Sequence, residues 1–346
     1  RYPVHLGHPA WGTFPREAEA GTLARRLQRA GYATAIAGKW QLTLLGREPD
    51  HPHRLGFDTY CLFGWHEGPR YHQPWIWQDG RRREDVADRY GPDVYVEFLI
   101  DFMKRHREGP FFAFYSMALC HAVSDDFQPA PPYGPKGRYE NFAEMMAAMD
   151  ERVGRLVEAV DRLGLAERTL IFFLTDNGSP RSVYVRHENG RFQSEKVVSR
   201  WRGQLIPGGK GTVTDWGIRV PGIARWPGRI ASGSRSGALI DLSDLLPTFC
   251  ELAGVPVAAA EGLDGRSFAG LLQGGQDPGR EWVFSQSKPN LWCLRTREWK
   301  LRSDGTLWRI PGEADTETRV EPAEAGPEAV QVRAKLEAIR ARLFGP

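Results

Sequence analysis

Cysteine is scarce, and the four residues present, Cys61, Cys120, Cys250 and Cys293, stand far apart without a C-x-x-C pair. That spacing argues against a zinc ribbon and against a disulfide scaffold. No apolar run reaches the ~18 residues that a membrane helix requires, so no segment is expected to span a bilayer. An excess of one charge is missing too: 46 Lys and Arg against 43 Asp and Glu leave a net +3. The one dense basic run, Arg81-Arg82-Arg83, lies among Asp79, Glu84 and Asp85 and reads as a solvated loop. A nucleic-acid surface needs many basic groups on one face, so no nucleic-acid partner is expected. There is no G-x-S-x-G elbow, which disfavours a Ser-His-Asp hydrolase. Nor is there a Walker A loop: Gly203 and Gly208 have the required gap, but Gly209 stands where Lys belongs. No internal repeat is visible.

What remains is an ordinary globular composition, 41% hydrophobic and 26% charged, over 346 residues. That length suits a large domain plus a smaller one. Residues 22–30 read as a helix capped by Thr22, with Leu23, Leu27 and Ala30 on one face and Gly31 at its end. A strand over 32–37 runs into Gly38-Lys39-Trp40. Residues 111–115 and 169–174 read as buried strands. Between them, 142–163 carries the strongest helical pattern, with Asn141 at the cap, Glu144 three residues on, and a Met145, Met146, Met149 stripe that reads as core. Residues 178–211 read as a long polar loop, 218–226 as a strand and 241–252 as a helix. Helices alternating with apolar strands predict an α/β fold, a mostly parallel central sheet flanked by helices. From Glu281 the texture changes to short strand-like runs and a last helix over 330–343. This predicts a catalytic α/β domain over 1–280 and a small C-terminal subdomain, antiparallel sheet plus helix, over 281–346.

Ligands bind at the carboxyl ends of strands in such sheets, so the polar residues there carry the argument. Four groups qualify: Lys39, His121, Asp176-Asn177 and Lys210. Singly, each has a plain alternative. Asp-Asn-Gly suits a turn as well as a hard cation, Lys210 suits a surface lysine, and His121 suits a core histidine. His51, His53, His66 and His72 lack a metal-binding helix spacing and read as loop residues. Together, two lysines and a histidine can neutralise a tetrahedral oxyanion while a carboxylate and an amide hold a cation beside it. That is the chemistry of sulfuryl or phosphoryl transfer.

LARRLQRAGYATAIAGKW resembles a sulfatase signature. MMAAMDERVGRLVEAVDRLGLAERTLIFFLTDNG resembles the same family's helix and strand before its metal-binding Asp-Asn, and GGKGTVTDWGIRVPGIARWPGRI its Gly-Gly-Lys-Gly loop. The chain is thus similar to sulfatases of the alkaline phosphatase superfamily, in the right order to about Leu272. The resemblance implies that Lys39, Gln41, His121 and Lys210 bind the substrate's sulfate. It implies that Lys39, His121 and Lys210 act in catalysis, and that Asp176 and Asn177 ligate Ca²⁺ or Mg²⁺. It implies hydrolysis of a sulfate ester on a small molecule or carbohydrate, and export to a periplasmic or extracellular space.

Two departures accompany it. The family's nucleophile is a formylglycine made from the Cys or Ser of a C-x-P-S-R motif, and none of the four cysteines stands in C-x-P-x-R. Arg1-Tyr2-Pro3 looks like the end of a segment that follows that motif. The expectation is therefore a fragment lacking an N-terminal strand and its nucleophile, inactive by itself. Gln41 stands where the family has the His of Gly-Lys-Trp-His, and glutamine cannot serve as a base. His121 is the nearest substitute. The same fold also hosts phosphodiester and phosphonate ester hydrolases, and a non-catalytic oxyanion-binding relative is a third reading. The aromatic stretch 65–77, with His66, Tyr71, His72, Trp75 and Trp77, is suited to stacking a sugar or to packing under a loop.

Overall fold

The computed structural model describes residues 13–64, 67–123, 139–201, 203–258, 261–277, 279–310 and 317–344. Arg1-Tyr2-Pro3, Trp65 and His66 lie outside the described residues. Helix α1 (Leu23–Arg29) forms where its cap signals place it: Thr22 Oγ1 accepts from the Arg25 amide, and Gly31 leaves the helix at φ +89°. Strand β1 (Ala33–Trp40) follows and pairs in parallel with β2 (Thr59–Gly64) on one side and β5 (Phe111–Ser116) on the other. Two short strands, β3 (Trp77–Gln78) and β4 (Arg81–Arg82), extend the sheet in antiparallel fashion beyond β2, giving the order β4-β3-β2-β1-β5. The long strands are the parallel ones.

Alternation along β1 and β2 places a core on each face of this sheet. Ala35, Ala37, Cys61 and Phe63 join a cluster with helices α2 (Gly91–Arg105) and α3 (Phe142–Arg162), through Tyr95, Leu99, Phe102, Met145 and Val160. Ile36, Trp40, Tyr60 and Leu62 face the other way, onto Ala24 of α1 and Leu45, Leu55 and Phe57. In α3 the Asn141 side chain caps the Glu144 amide, while the Glu144 carboxylate reaches the Glu140 amide, one residue before the cap. Met145 and Met149 of its methionine stripe enter the core; Met146 is exposed.

Strand β6 (Ile171–Leu174) pairs antiparallel with β11 (Gly222–Arg225) in a separate two-stranded sheet. The short helix α4 (Asp215–Ile218) precedes β11, and α5 (Leu245–Leu252) follows it. The C-terminal segment forms a five-stranded antiparallel meander, β12 (Val283–Lys288), β13 (Leu291–Arg295), β14 (Trp299–Arg302), β15 (Leu307–Arg309) and β16 (Thr318–Val320). Its apolar face, with Trp292, Leu294, Trp299 and Leu301, packs on Ala329, Leu336 and Ile339 of α6 (Pro327–Phe344).

Several sequence expectations change here. Residues 178–211 are not a loop: they contain hairpin β7 (Ser182–Glu188) with β8 (Arg191–Lys196) and hairpin β9 (Val198–Trp201) with β10 (Gln204–Pro207). Val183, Val185 and Val197 supply their buried positions. The turn between β7 and β8 is Asn189-Gly190, both at positive φ, the arrangement a two-residue hairpin turn demands. Strands β5 and β6 are half-buried rather than buried, and Phe114 is 46% exposed. Among the described residues each has a strand neighbour on one side only, which makes them sheet edges. Arg81 and Arg82 lie in β4, and His51 and His53 in a four-residue helix (His51–Arg54). His51 is buried, its Nδ1 2.9 Å from Thr43 Oγ1. All four cysteines are free thiols.

Candidate functional site

Lys39 stands at the carboxyl end of β1, held between two fixed neighbours. Gly38 before it has φ +99°, and a Cβ there would fall 2.0 Å from the Ser116 carbonyl oxygen of β5. Only glycine lets the two strands close at this point. Trp40 after it is buried and donates to Thr43 Oγ1 at 3.1 Å. Burial first, then the nearby Lys210 and Arg70 cations, lower the Lys39 pKa to about 8 against the favourable pull of Asp176. Gln41 follows directly, half-buried.

His121 lies in the turn after β5. The His121 amide donates to Ala118 O at 2.9 Å, and the single Tyr71 hydroxyl proton is shared between Ala118 O and His121 O, at 3.0 and 2.9 Å. Tyr71 is fully buried, so this segment is pinned from beneath. The ring Nδ1 sits 3.2 Å from Arg70 Nη1 and 3.4 Å from Ala122 O. Burial, followed by the charges of Arg70, Lys39 and Lys210, pushes the imidazole down to about 4, so it is neutral near pH 7.

Asp176 and Asn177 follow β6, Asp176 exposed and Asn177 half-buried. Asn177 spends its Nδ2 on Gly178 O at 2.9 Å, which leaves the amide oxygen as the atom able to accept or ligate. The Lys210 loop is stitched to this turn. The Lys210 amide donates to Ser179 O at 3.0 Å, and the Gly178 amide to Gly217 O at 2.9 Å. The packing leaves no space for side chains: a Cβ on Gly178 would meet Trp216 O at 1.7 Å, and one on Gly209 would meet Trp216 C at 2.6 Å. The glycines of the Gly-Gly-Lys-Gly run therefore serve close backbone approach as well as turning.

The structure thus brings Lys39 within electrostatic reach of Lys210, Asp176 and His121, and His121 within reach of Lys210, although 171 positions separate Lys39 from Lys210. It adds one residue that sequence reasoning missed, Arg70, only 2% exposed, with its guanidinium 5.4 Å over the Phe63 ring. Glu67, three residues earlier, accepts through its carboxylate from the Leu45 and Gly46 amides, at 2.8 and 2.6 Å. The signal was a lone arginine in an otherwise aromatic stretch. The stretch itself divides: Tyr71 is buried, whereas Trp75 is exposed with Arg82 over its ring at 4.1 Å.

The arrangement sets Lys39, Lys210 and Arg70 near His121, with the Asp176 carboxylate near Lys39, a concentration of positive charge that suits a doubly charged oxyanion. Asp176 and the Asn177 oxygen fit a hard cation in donor type. In number they supply two of the roughly six to eight oxygens such an ion takes, and no group of three or more acidic, His or Cys ligands occurs among the described residues.

Comparison with known proteins agrees in extent. The family model described as Sulfatase matches residues 2–255. N-acetylgalactosamine-6-sulfatase of Homo sapiens is 28% identical over 270 residues, covering 73% of this chain and 48% of that protein. Arylsulfatase A of Bos taurus is 28% identical over 352 residues, 93% of this chain and 64% of its own length. The crystal structure of Ps i-CgsB superposes with a TM-score of 0.74 at 21% identity, covering 100% of this chain and 80% of that one. The chain spans about half the length of the first of these curated relatives.

Proposed function

The chain belongs to the sulfatase family, and from that premise we propose that it provides the oxyanion-binding part of a sulfuric ester hydrolase, splitting a sulfate ester to an alcohol and inorganic sulfate. The observation that carries this is the gathering of Lys39, Lys210 and Arg70 near His121: all three lower the affinity of His121 for a proton, and Lys210 and Arg70 lower that of Lys39. A gathering of cations of this kind favours a bound anion.

In this reading Lys39 and Lys210 contact the sulfate oxygens and stabilise the charge that develops on them as the ester bond breaks. His121, neutral, offers a hydrogen bond. Gln41 donates or accepts a hydrogen bond and takes no proton. Asp176 and Asn177 hold the cation. When present, Ca²⁺ or Mg²⁺ supplies positive charge at the oxyanion, and a formylglycine supplies the nucleophile. None of the four cysteines stands in C-x-P-x-R, so none of them is assigned that role. A sulfated carbohydrate is the proposed substrate class, supported by the human relative named for an N-acetylgalactosamine 6-sulfate. In the aromatic stretch Tyr71 is buried and Trp75 is exposed under the Arg82 guanidinium.

The test has two arms. Inorganic sulfate titrated into the chain by calorimetry should bind, and Lys39→Ala or Lys210→Ala should weaken binding at least tenfold. In the parent protein carrying the family nucleophile, an aryl sulfate should be hydrolysed faster than an aryl phosphodiester. Absence of sulfate binding removes the site assignment. Preference for the phosphodiester moves the activity to the other branch of the superfamily.

A further inference from the structure

Arg70 and Tyr71 grip the His121 turn at two levels. Tyr71 holds its backbone carbonyls, and Arg70 meets the imidazole ring. Their own backbone is locked in turn. The Gly91 amide donates to Tyr71 O, and a Cβ on Gly91 would fall 2.2 Å from Arg70 O, so α2 begins pressed against this pair. Packing on Phe63, itself fully buried, fixes the guanidinium from the sheet side.

The chemistry of the 3.2 Å contact has one solution. A guanidinium carries five N–H donors and no acceptor, and it stays charged at every accessible pH. Arg70 Nη1 can therefore hydrogen-bond His121 Nδ1 only if Nδ1 offers its lone pair. The competing contact, Ala122 O at 3.4 Å, needs a proton on the same nitrogen. That proton would face a cation at closer range than its acceptor, so the guanidinium prevails. Among the groups facing the imidazole are Arg70 from the segment between β2 and β3, Lys39 from β1, Lys210 from the loop after β10, and the Ala122 carbonyl. All three side chains among them oppose a second proton on the ring.

We propose that Arg70 is a positioning residue for the sulfate site: by donating to Nδ1 it fixes His121 as the Nε2–H tautomer, a hydrogen-bond donor and not a base. The inference rests on the sulfate-site reading above for its purpose, though not for its geometry. It also answers the question left by Gln41. The base that the family's His provides at that position is not replaced by His121, because the nitrogen with a lone pair is occupied by Arg70. His121 instead lends its Nε2 proton to an oxygen of the bound ester.

The experiment is nitrogen-15 NMR of the histidine rings in the whole chain, with His121 assigned by a His121→Gln control. Wild type should show the Nε2–H tautomer, unprotonated down to about pH 5. Arg70→Met should let the tautomers mix and raise the His121 titration by about one pH unit or more, and Arg70→Lys should restore part of the wild-type behaviour. Sulfate affinity should fall about tenfold in Arg70→Met, with thermal unfolding recorded for each variant. An Nδ1–H tautomer in wild type overturns the proposal without any variant. So does a folded Arg70→Met whose His121 spectrum is unchanged. A correct tautomer in a chain that binds no sulfate would leave the Arg70 geometry standing and remove the sulfate site.

Discussion

Replacing Asp215 tests how the Lys210 segment is fastened to the C-terminal sheet. Asp215 opens α4, five residues past Lys210, and is 2% exposed. Arg295 of β13 holds its carboxylate with two hydrogen bonds, 3.1 and 2.9 Å, and Lys300 of β14 adds a third at 2.6 Å. Lys300 is fully buried and also donates to Val213 O and to Glu317, which in turn pairs with Arg302. The network holds three cations and two carboxylates. Asp215→Ala leaves three cations facing Glu317 alone, two of them in a buried setting. Removing one partner of a buried pair costs about 3–5 kcal/mol. Lys300→Met leaves Asp215 still bound twice by Arg295, and should cost less, about 1–3 kcal/mol. Urea unfolding at pH 7 gives both values.

The pH dependence is a separate check on the same residue. Burial by itself would raise the Asp215 carboxyl, but the Arg295 hydrogen bonds and the Lys300 and Arg295 charges overrule it and hold the group below the usual carboxylate range. A depressed carboxylate stabilises the fold fully above its unfolded pKa, ~3.9, and loses that contribution as pH falls through the lower folded value. The gap between wild type and Asp215→Ala should therefore be constant from about pH 7 to 5 and narrow below ~4. A cost under ~1 kcal/mol, or a gap that widens in acid, would refute the reasoning.

Three further outcomes follow from the geometry. Gly209→Ala should destabilise by ~1–3 kcal/mol and weaken sulfate binding, because its Cβ meets the Trp216-Gly217 backbone; urea unfolding and calorimetry read both. Gly154→Ala, in α3 with nothing within 4 Å of the new carbon, should instead stabilise by ~0.5–1 kcal/mol, and an equal loss in both variants would contradict the packing argument. Sulfate affinity at constant ionic strength should decline as pH rises through about 8, where Lys39 loses its proton. Since the Lys39 value is depressed, it weakens the ligand-free fold at low pH, and that penalty should fade between about 8 and the ordinary ~10.4.

Much of the architecture was legible because short-range rules governed it. The Thr22 and Asn141 caps, Gly31, and the two-sided apolar pattern of β1 all act within a few residues. The Asn189-Gly190 turn was equally legible, but the polar residues around Val183 and Val185 disguised the alternation that should have marked a hairpin. Strand direction was not local information. Helix–strand alternation suggests parallel pairing, yet 47 residues, including both hairpins, lie between β6 and β11, enough to return the chain either way. Lys39, His121 and Lys210 stood out as polar groups at strand ends. Arg70 did not, since its role depends on a turn 51 positions away.

Among the described residues, the separation of the five-stranded sheet from the two-stranded sheet of β6 and β11 has a consequence for cooperativity. Lys39 and His121 hang from the five-stranded sheet, whereas Asp176 and Lys210 ride on the turn and loop beside the two-stranded one. Each sheet can be regarded as its own opening unit, exchanging its amide protons at its own rate. An anion held by both sets of groups is lost whenever either unit opens, so its binding free energy is added to the opening of each. The ligand then acts as a removable crosslink. The sheets already share a core, to which β1, β2 and Ile171 of β6 contribute, and the anion adds a second link between them at the strand ends.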